Sequence, residues 1–505
     1  MTDSFQLYVQ PEDLSILSSE DPKTFLLGGD FGYGNFGDIL QCCNSIAFHR
    51  RVSDHRLVVV LAVDAIVDSN FVNRARKRYN VDAIVYVSRS PWCFKELCPV
   101  AVIRNAVLLH FYGGGVLNVL WGSYVLGVAA YLHERLRPAG YVISGQQVSA
   151  PLHLALIDHC RIFRPLLVGV RDRSSLALMK DASFDISFSF DDACESLLLL
   201  ARRLPLLLDH GLIIHLNLSS YTQNLSSDPS LRDELQQLAA DGRAQGGLTV
   251  CQAFESRQFD VCDSFESIKQ LSFDFPFCDY RVLDLVRLID NGCGSLGSPI
   301  KVGIGYSCSY HVALWLQLAG IPCWLRSGSS FYSQKRESLQ VRQTLSEFLA
   351  APHLADHCES LHRREEWLVR LEQVVRELPL VSGWSEVADS RPEDAPAWMY
   401  RGRSTPMARM AELVDAQRLE LGDFSERVVA LSRTASRLGR ELHERNHAFW
   451  LLQQDRDQLQ ADRDHVTRRL HATLPERCKW FVRRQVDRLR RKFFPPPGPS
   501  DHDQS

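Results

Sequence analysis

Two series of short aliphatic runs, each run followed by a helix-length segment, constrain this chain more than any other feature. The first series comprises Thr24–Leu27, Leu57–Val63, Ala83–Val87, Val107–Phe111, Tyr141–Ser144 and Leu166–Val170. Helical segments are predicted between them at Asp38–Arg50, Ser69–Tyr79, Val116–Arg135, Pro151–Phe163 and Ser174–Lys180. Runs this short and this rich in Val, Ile and Leu suit strands buried on both faces, as in a parallel sheet covered by helices. The second series has strands at Leu212–Leu216, Leu248–Ala253, Val282–Leu285, Lys301–Ile304 and Cys323–Arg326. Its helices are expected at Ser230–Gly242, Ser264–Ser272, His311–Ala319 and Ser333–Leu349. The expectation is an α/β chain with two Rossmann-like, doubly wound domains, residues 1–205 and 206–381. In such domains ligands bind beyond the C-terminal ends of the strands.

A chain of 505 residues is too long for one core, which agrees with this division. The net charge of −3 gives no global attraction to nucleic acid, and none is expected as a partner. The 14 cysteines are scattered, with no Cys-x-x-Cys, and the first twenty residues are polar and acidic. They read as reduced thiols of a cytoplasmic protein without a signal peptide or a metal site. Asn105 to His133 contains no charged side chain and so imitates a membrane span. A span needs about 20 consecutive apolar residues, and Gly113-Gly114-Gly115 divides this run into a buried strand and a buried helix.

Past the second series the pattern changes. His357–Glu377 is a helix placed to cross back onto the first domain, which makes the whole a GT-B-like arrangement. Residues 382–406, rich in Ser, Asp, Pro and Arg, read as a linker. In 407–474 apolar residues return at heptad spacing, among them Leu431, Leu438, Leu442, Phe449, Leu452, Leu459 and Val466. Arg445, Arg456 and Arg463 interrupt the seam. Two readings stay open, a self-associating coiled coil or one amphipathic helix docked on the body. In 475–505 a basic helix precedes a Pro-rich tail, with Val482, Val486, Leu489 and Phe493 on one stripe. Between 476 and 494 this pattern fits an anionic membrane surface, which would make the protein peripheral to the inner membrane. A solvated tail or a nucleic-acid contact is the alternative.

Several turns between strand and helix carry polar chemistry. Gly28 to Asp38 holds four glycines between positions 29 and 37, and it follows the first strand. Glycines there permit close backbone approach to a ligand, and a helix start offers N–H groups to an anion. Neither a Walker loop nor a clean dinucleotide fingerprint is present. Within it Gly34, Asn35 and Asp38 are candidate ligand contacts, Asp38 being equally explained as a helix cap. Further loops at the same sheet edge are expected at Gly113-Gly114-Gly115 and Ser144-Gly145-Gln146-Gln147, offering Gly114, Gly115 and Gln146. Arg171 and Arg173 follow the Leu166–Val170 strand. A guanidinium at a strand end grips phosphate or carboxylate well, or else Arg171 pairs with Asp172 or Asp191 and fixes the loop. In the second half Ser309-Tyr310-His311 opens an apolar helix before Gly320-Ile321-Pro322. His311 is a candidate site residue by its position or else a satisfied core or capping residue, and Lys335 is a further cation or a solvated one.

Taken in order, these residues resemble the polysaccharide pyruvyl transferase family. The matching pieces are Gly32-Tyr33-Gly34-Asn35-Phe36-Gly37-Asp38, Gly113-Gly114-Gly115, Gly145-Gln146, Val170-Arg171-Asp172-Arg173-Ser174, and Ser309-Tyr310-His311 through Gly320-Ile321-Pro322 to Tyr332 and Lys335. They span about positions 24 to 345. The resemblance implies a GT-B-like fold and transfer of the enolpyruvyl part of phosphoenolpyruvate to a sugar, with no cofactor or metal; a GT-B glycosyltransferase using a sugar nucleotide, or a non-catalytic assembly protein of polysaccharide synthesis, is the alternative. It implies that Arg171 binds the donor anion, that His311 protonates the enol carbon or binds the anion, and that Asn35 and Asp38 line the cleft. The implied acceptor is a carbohydrate precursor of a surface polysaccharide. Many members carry Arg two residues before this histidine; Ser309 stands there in this chain. Lys301, Arg326 and Lys335 are the candidates to restore the missing charge.

Overall fold

Alternate residues of strand β3 (Arg56–Ala62) enter two different apolar layers. Leu57, Val59 and Leu61 join one buried cluster, and Val58, Val60 and Ala62 join another. A strand can be apolar throughout only where helices cover both faces of its sheet, and that is the plan of the molecule. The computed structural model describes residues 5–28, 34–62, 75–88, 97–118, 123–204, 206–216, 229–254, 280–290, 299–327, 330–340, 343–379, 456, 458–469 and 476–493. The chain forms two compact units, Met1–Gln417 and Arg418–Ser505.

The first sheet of the first unit is built from β1 (Gln6–Val9), β2 (Lys23–Leu27), β3, β4 (Ala83–Ser88), β5 (Cys98–Pro99), β6 (Ala106–Phe111), β7 (Gly114–Leu117), β8 (Gly140–Val148), β9 (Leu167–Val170) and β10 (Ser187–Phe188). Its order is β10-β9-β8-β6-β2-β3-β4-β1-β5, with β7 beside β8. From β10 to β4 the pairings are parallel, and β1 lies antiparallel against β4 and β5. The chain runs outward from β2 through β3 to β4, then returns to β6 on the other side of β2. That reversal makes a crevice at the C-terminal ends of β2 and β6. Helices α3 (Tyr124–Leu136) and α4 (His153–Phe163) cover one face, and α2 (Phe36–Val52) the other.

The second sheet is wholly parallel, in the order β13 (Tyr280–Asp284), β12 (Leu248–Gln252), β11 (Leu206–His215), β14 (Ile300–Ser307), β15 (Cys323–Leu325). Its reversal lies between β11 and β14, where α9 (Tyr310–Leu318) begins. One apolar cluster runs through both sheets, with Phe36, Ile39 and Leu40 of α2, Leu197 and Leu200 of α6 (Cys194–Arg203), and Val312 to Leu316 of α9. α12 (Cys358–Glu377) leaves the second lobe and packs Trp367, Leu371 and Val375 against Phe48, Leu108, Val142 and Leu167 of the first. Two Rossmann-like lobes joined by a returning helix constitute the expected GT-B-like plan.

Several local expectations are corrected. The loops foreseen at Gly113–Gly115 and Ser144–Gln147 are largely strand: Gly114 pairs with Gln146, and β8 continues to Val148. The helix expected from Val116 instead begins at Tyr124, because Val116 and Leu117 belong to β7. Ser333–Leu349 divides into α10 (Ser330–Ser338) and α11 (Leu345–Ala350), since Thr344 and Glu347 form a reciprocal cap that starts a new helix. The helix expected at Ser264–Ser272 and the linker at 382–406 lie outside the described residues. Of 407–474, residues 458–469 are helical, and α13 (Glu476–Phe493) follows. Among the described residues no helix is long and apolar enough to cross a membrane.

Candidate functional site

The reversal points of the two sheets face each other. At the first, Asn35 opens α2 by accepting a hydrogen bond from Gly37 N through its side-chain oxygen, 2.9 Å. Phe36 N donates to Ala253 O of the second lobe, 2.9 Å, and Asn35 bridges to Phe254. At the second, Ser309 stands at the N-cap of α9, its N–H donating to Ser307 Oγ. His311, in the first turn of α9, lies flat on Gly37. A Cβ at Gly37 would sit 1.8 Å from His311 Nδ1, so only glycine leaves room for the ring.

The centre of the cluster is Asp191. Its carboxylate accepts from Arg171 Nη1 at 3.3 Å and from Gln41 Nε2 at 3.2 Å, and it lies 3.4 Å from His311 Nε2. Ala193 N adds a backbone donor at 2.8 Å. Burial opposes ionisation of Asp191, but His311 and Arg171 outweigh it and hold the group below the ordinary carboxylate range. Arg171 is 1% exposed, donates also to Gln147 Oε1, and stacks 4.3 Å from the Tyr310 ring centroid. Burial opposes its charge, but Tyr310, Asp191 and Asp172 outweigh it and raise the guanidinium above its usual value. His311 is lowered from its usual value by burial, which the Asp191 carboxylate only partly offsets. Its Nε2 lies 3.4 Å from the Asp191 carboxylate and 3.3 Å from Gln41 Nε2, and its Nδ1 lies against Gly37 at the start of α2.

Lys335 on α10 completes the group. A Cβ at Gly115 would lie 3.3 Å from Lys335 Nζ and 3.2 Å from Gln147 Oε1. Burial and the Arg171 charge push Lys335 down to about 7, with Asp38, Asp191 and Asp172 pulling the other way. Arg171 Nε, Gln147 Nε2, Gln146 Oε1 and Gln41 Oε1 are buried without a hydrogen-bond partner among the described residues.

Of the residues singled out in the sequence, Arg171, His311, Lys335, Gly115 and Asp38 are brought together. Gly34 takes a left-handed φ of 66° just before α2. Gln146 is a neighbour of the cluster, donating to Tyr112 O and accepting from Arg171 N through its carbonyl. Gly114 sits in β7, and Ser309 contributes backbone and cap geometry. Arg173 is the exception: it is exposed and paired with Glu359 on α12, because Asp172 caps α5 (Arg173–Leu178) and turns the next residue outward. Among the three cations weighed against Ser309, Lys301 pairs with Asp209 at the far end of β14, about 25 Å along the strand from Ser309. Arg326 is held by Glu234 and Ser230. Lys335 alone of the three reaches the cluster.

Sequence reasoning raised Asp191 only as a possible partner of Arg171, and it missed Asp192, Gln41 and Arg364. Phe190 adopts φ 57°, a left-handed conformation unusual for a bulky residue. That turn sends consecutive carboxylates into different surroundings. Asp191 enters the cluster; Asp192 accepts from Gly113 N at 2.6 Å, from Ser144 Oγ, and from Arg364 of α12. Ser144 in turn is bonded to His110 at 2.8 Å and His110 to His49 at 2.9 Å, an entirely buried chain.

No family model matches this chain, and no curated protein matches its sequence. Among solved structures, a Listeria monocytogenes protein provisionally assigned as a UDP-N-acetylglucosamine 2-epimerase is 8% identical with TM-score 0.38, covering 72% of this chain and 99% of its own. A UDP-GlcNAc 2-epimerase from Methanocaldococcus jannaschii is 9% identical, TM-score 0.31, covering 70% and 93%. An alpha-glucosyltransferase in complex with UDP is 11% identical, TM-score 0.31, covering 70% and 95%. Likeness this distant bears on neither substrate nor reaction.

Proposed function

We propose that the chain is a pyruvyl transferase, moving the enolpyruvyl group of phosphoenolpyruvate onto a sugar of a surface-polysaccharide precursor. The observation that carries this reading is the convergence of Arg171, His311 and Lys335, from three distant segments, around the single carboxylate of Asp191. Phosphoenolpyruvate bears a phosphate and a carboxylate on a three-carbon frame, and fixed cations in a water-poor site bind such a small polyanion far better than solvent-exposed ones. The ordered motifs of the pyruvyl transferase family end on these same residues.

In this reading Arg171 and Lys335 hold the donor's anionic groups. An adjacent anion favours the charged form of His311 and offsets the effect of its burial. His311 then delivers a proton to C3, the methylene becomes a methyl, and positive charge develops at C2. One sugar hydroxyl adds to C2 and a second displaces phosphate, giving a cyclic ketal. One hydroxyl proton replaces the proton given to C3, and the other leaves with phosphate.

The test is a thermal-shift and calorimetric titration with phosphoenolpyruvate, followed by phosphate release with lipid-linked sugar acceptors. Stabilisation by phosphoenolpyruvate, weakened about 10- to 100-fold by Arg171→Ala through loss of a charge-assisted contact, supports the reading. Stabilisation by a uridine or guanosine diphospho-sugar, and not by phosphoenolpyruvate, would replace it with glycosyl transfer from a sugar nucleotide.

A further inference from the structure

The most basic stretch of the chain coincides with a helix whose Trp480, Phe481, Val486 and Leu489 are exposed. α13 carries eight basic and two acidic residues, net +6, in a chain of net charge −3, so the remainder is net −9. Cys478, Val482, Val486 and Leu489 are spaced by four, four and three residues, which puts them on one helix face, with Phe481 at its border. Phe481 is 61% exposed, Val486 38% and Leu489 54%. Arg483, Arg484, Arg488 and Arg490 occupy the other faces, all exposed. Arg484 lies 5.2 Å from the ring centroid of the exposed Trp480.

We infer that α13 docks on an anionic lipid bilayer. The two faces of the helix make different demands. A nucleic acid would neutralise the arginines and leave Val482, Val486 and Leu489 in water. A second copy of the helix would cover the apolar face and bring two strongly positive surfaces together. A bilayer with anionic headgroups meets both demands: the apolar face enters the acyl boundary by about 5–10 Å while arginines remain at phosphate level. Apolar insertion or charge alone gives marginal, reversible binding, and the two together give a stable anchor.

The test is co-sedimentation of the full chain with vesicles. Those of phosphatidylcholine and phosphatidylglycerol in equal parts should retain the protein, those of phosphatidylcholine alone should not, and raised salt should release it. Each basic residue near the surface contributes about fivefold. The combined change Arg483→Gln, Arg484→Gln, Arg488→Gln and Arg490→Gln should therefore weaken retention several-hundredfold, about 600-fold by that factor. Val486→Asn with Leu489→Asn should weaken it with every charge in place. Unchanged helicity of the full chain by far-ultraviolet circular dichroism confirms that the variants keep α13. Equal retention by neutral vesicles, or wild-type retention of the arginine variant, would overturn the inference. So would tighter binding to a duplex oligonucleotide that is indifferent to the Asn pair.

Discussion

Replacing Gly37 by alanine should change the sign of its effect according to whether His311 is present. Gly37 is in the first turn of α2, where glycine costs up to about 1 kcal/mol relative to alanine. On propensity alone, Gly37→Ala stabilises. The added methyl, however, would lie 1.8 Å from His311 Nδ1, 2.3 Å from Cγ and 2.4 Å from Cε1. Ordinary contact begins near 3.4 Å, so the ring must retreat by about 1.6 Å. Overpacking of that kind costs about 1–3 kcal/mol. The retreat also removes His311 Nε2 from Asp191, already at 3.4 Å, and a buried acceptor losing a partner costs about 1–3 kcal/mol. Net destabilisation of about 1–5 kcal/mol is expected in the wild-type background. In a His311→Ala background the ring is gone, and the same change should stabilise by up to about 1 kcal/mol. Urea unfolding of the four proteins, compared at constant m-value, measures the coupling directly. Destabilisation by Gly37→Ala of equal size in both backgrounds, within about 0.5 kcal/mol, would refute the reasoning. The two residues would then not touch across the lobes.

Other expectations follow from the same geometry. Arg364→Met leaves Asp192 buried without its guanidinium and should cost about 3–5 kcal/mol in thermal or urea unfolding, whereas Arg364→Met with Asp192→Asn should cost less. Burial lowers His49 well below its usual value, with His110 adding to it, and it lowers His110 and His159 to about 3, helped by Arg364 and His133 respectively. Because the unfolded chain protonates these rings first, stability is complete above about pH 6.5 and declines as pH falls below it. The slope is about 1.4 kcal/mol per pH unit for each ring. Denaturant titrations at successive pH values should show it, and a flat profile from pH 7 to 5 would contradict it. Lys335, pushed down to about 7, loses its proton as pH rises through neutrality. Affinity for phosphoenolpyruvate should therefore fall between pH 6.5 and 8, and Lys335→Arg should remove that fall.

The lobes were legible because their strands are buried on both faces and leave unbroken aliphatic runs such as Val58 to Leu61. Strand β1 was not: Gln6–Val9 is four residues long and pairs antiparallel with β4 and with the two-residue β5, too short to carry a period. The Gly113–Gly115 turn was misread because glycine usually marks a loop, whereas here it lets β7 lie close beside β8 and Lys335. Arg171 and His311 were found from their places at strand ends and helix starts. Of the two readings of Arg171, the pairing with Asp191 is what the structure shows. Arg364 was out of reach, because an arginine among many on an amphipathic helix reads as a solvated one until α12 is seen against the first lobe.

The position of Arg364 also bears on how the molecule is made. Asp192 is translated with the first lobe, but the guanidinium that neutralises it arrives 172 residues later. A nascent chain that has finished its first sheet still holds a carboxylate with no counter-charge beside Gly113 and Ser144. The first lobe is thus the last part of this unit to reach its final form, and a ribosome stalled before α12 should display a soft, protease-sensitive N-terminal half.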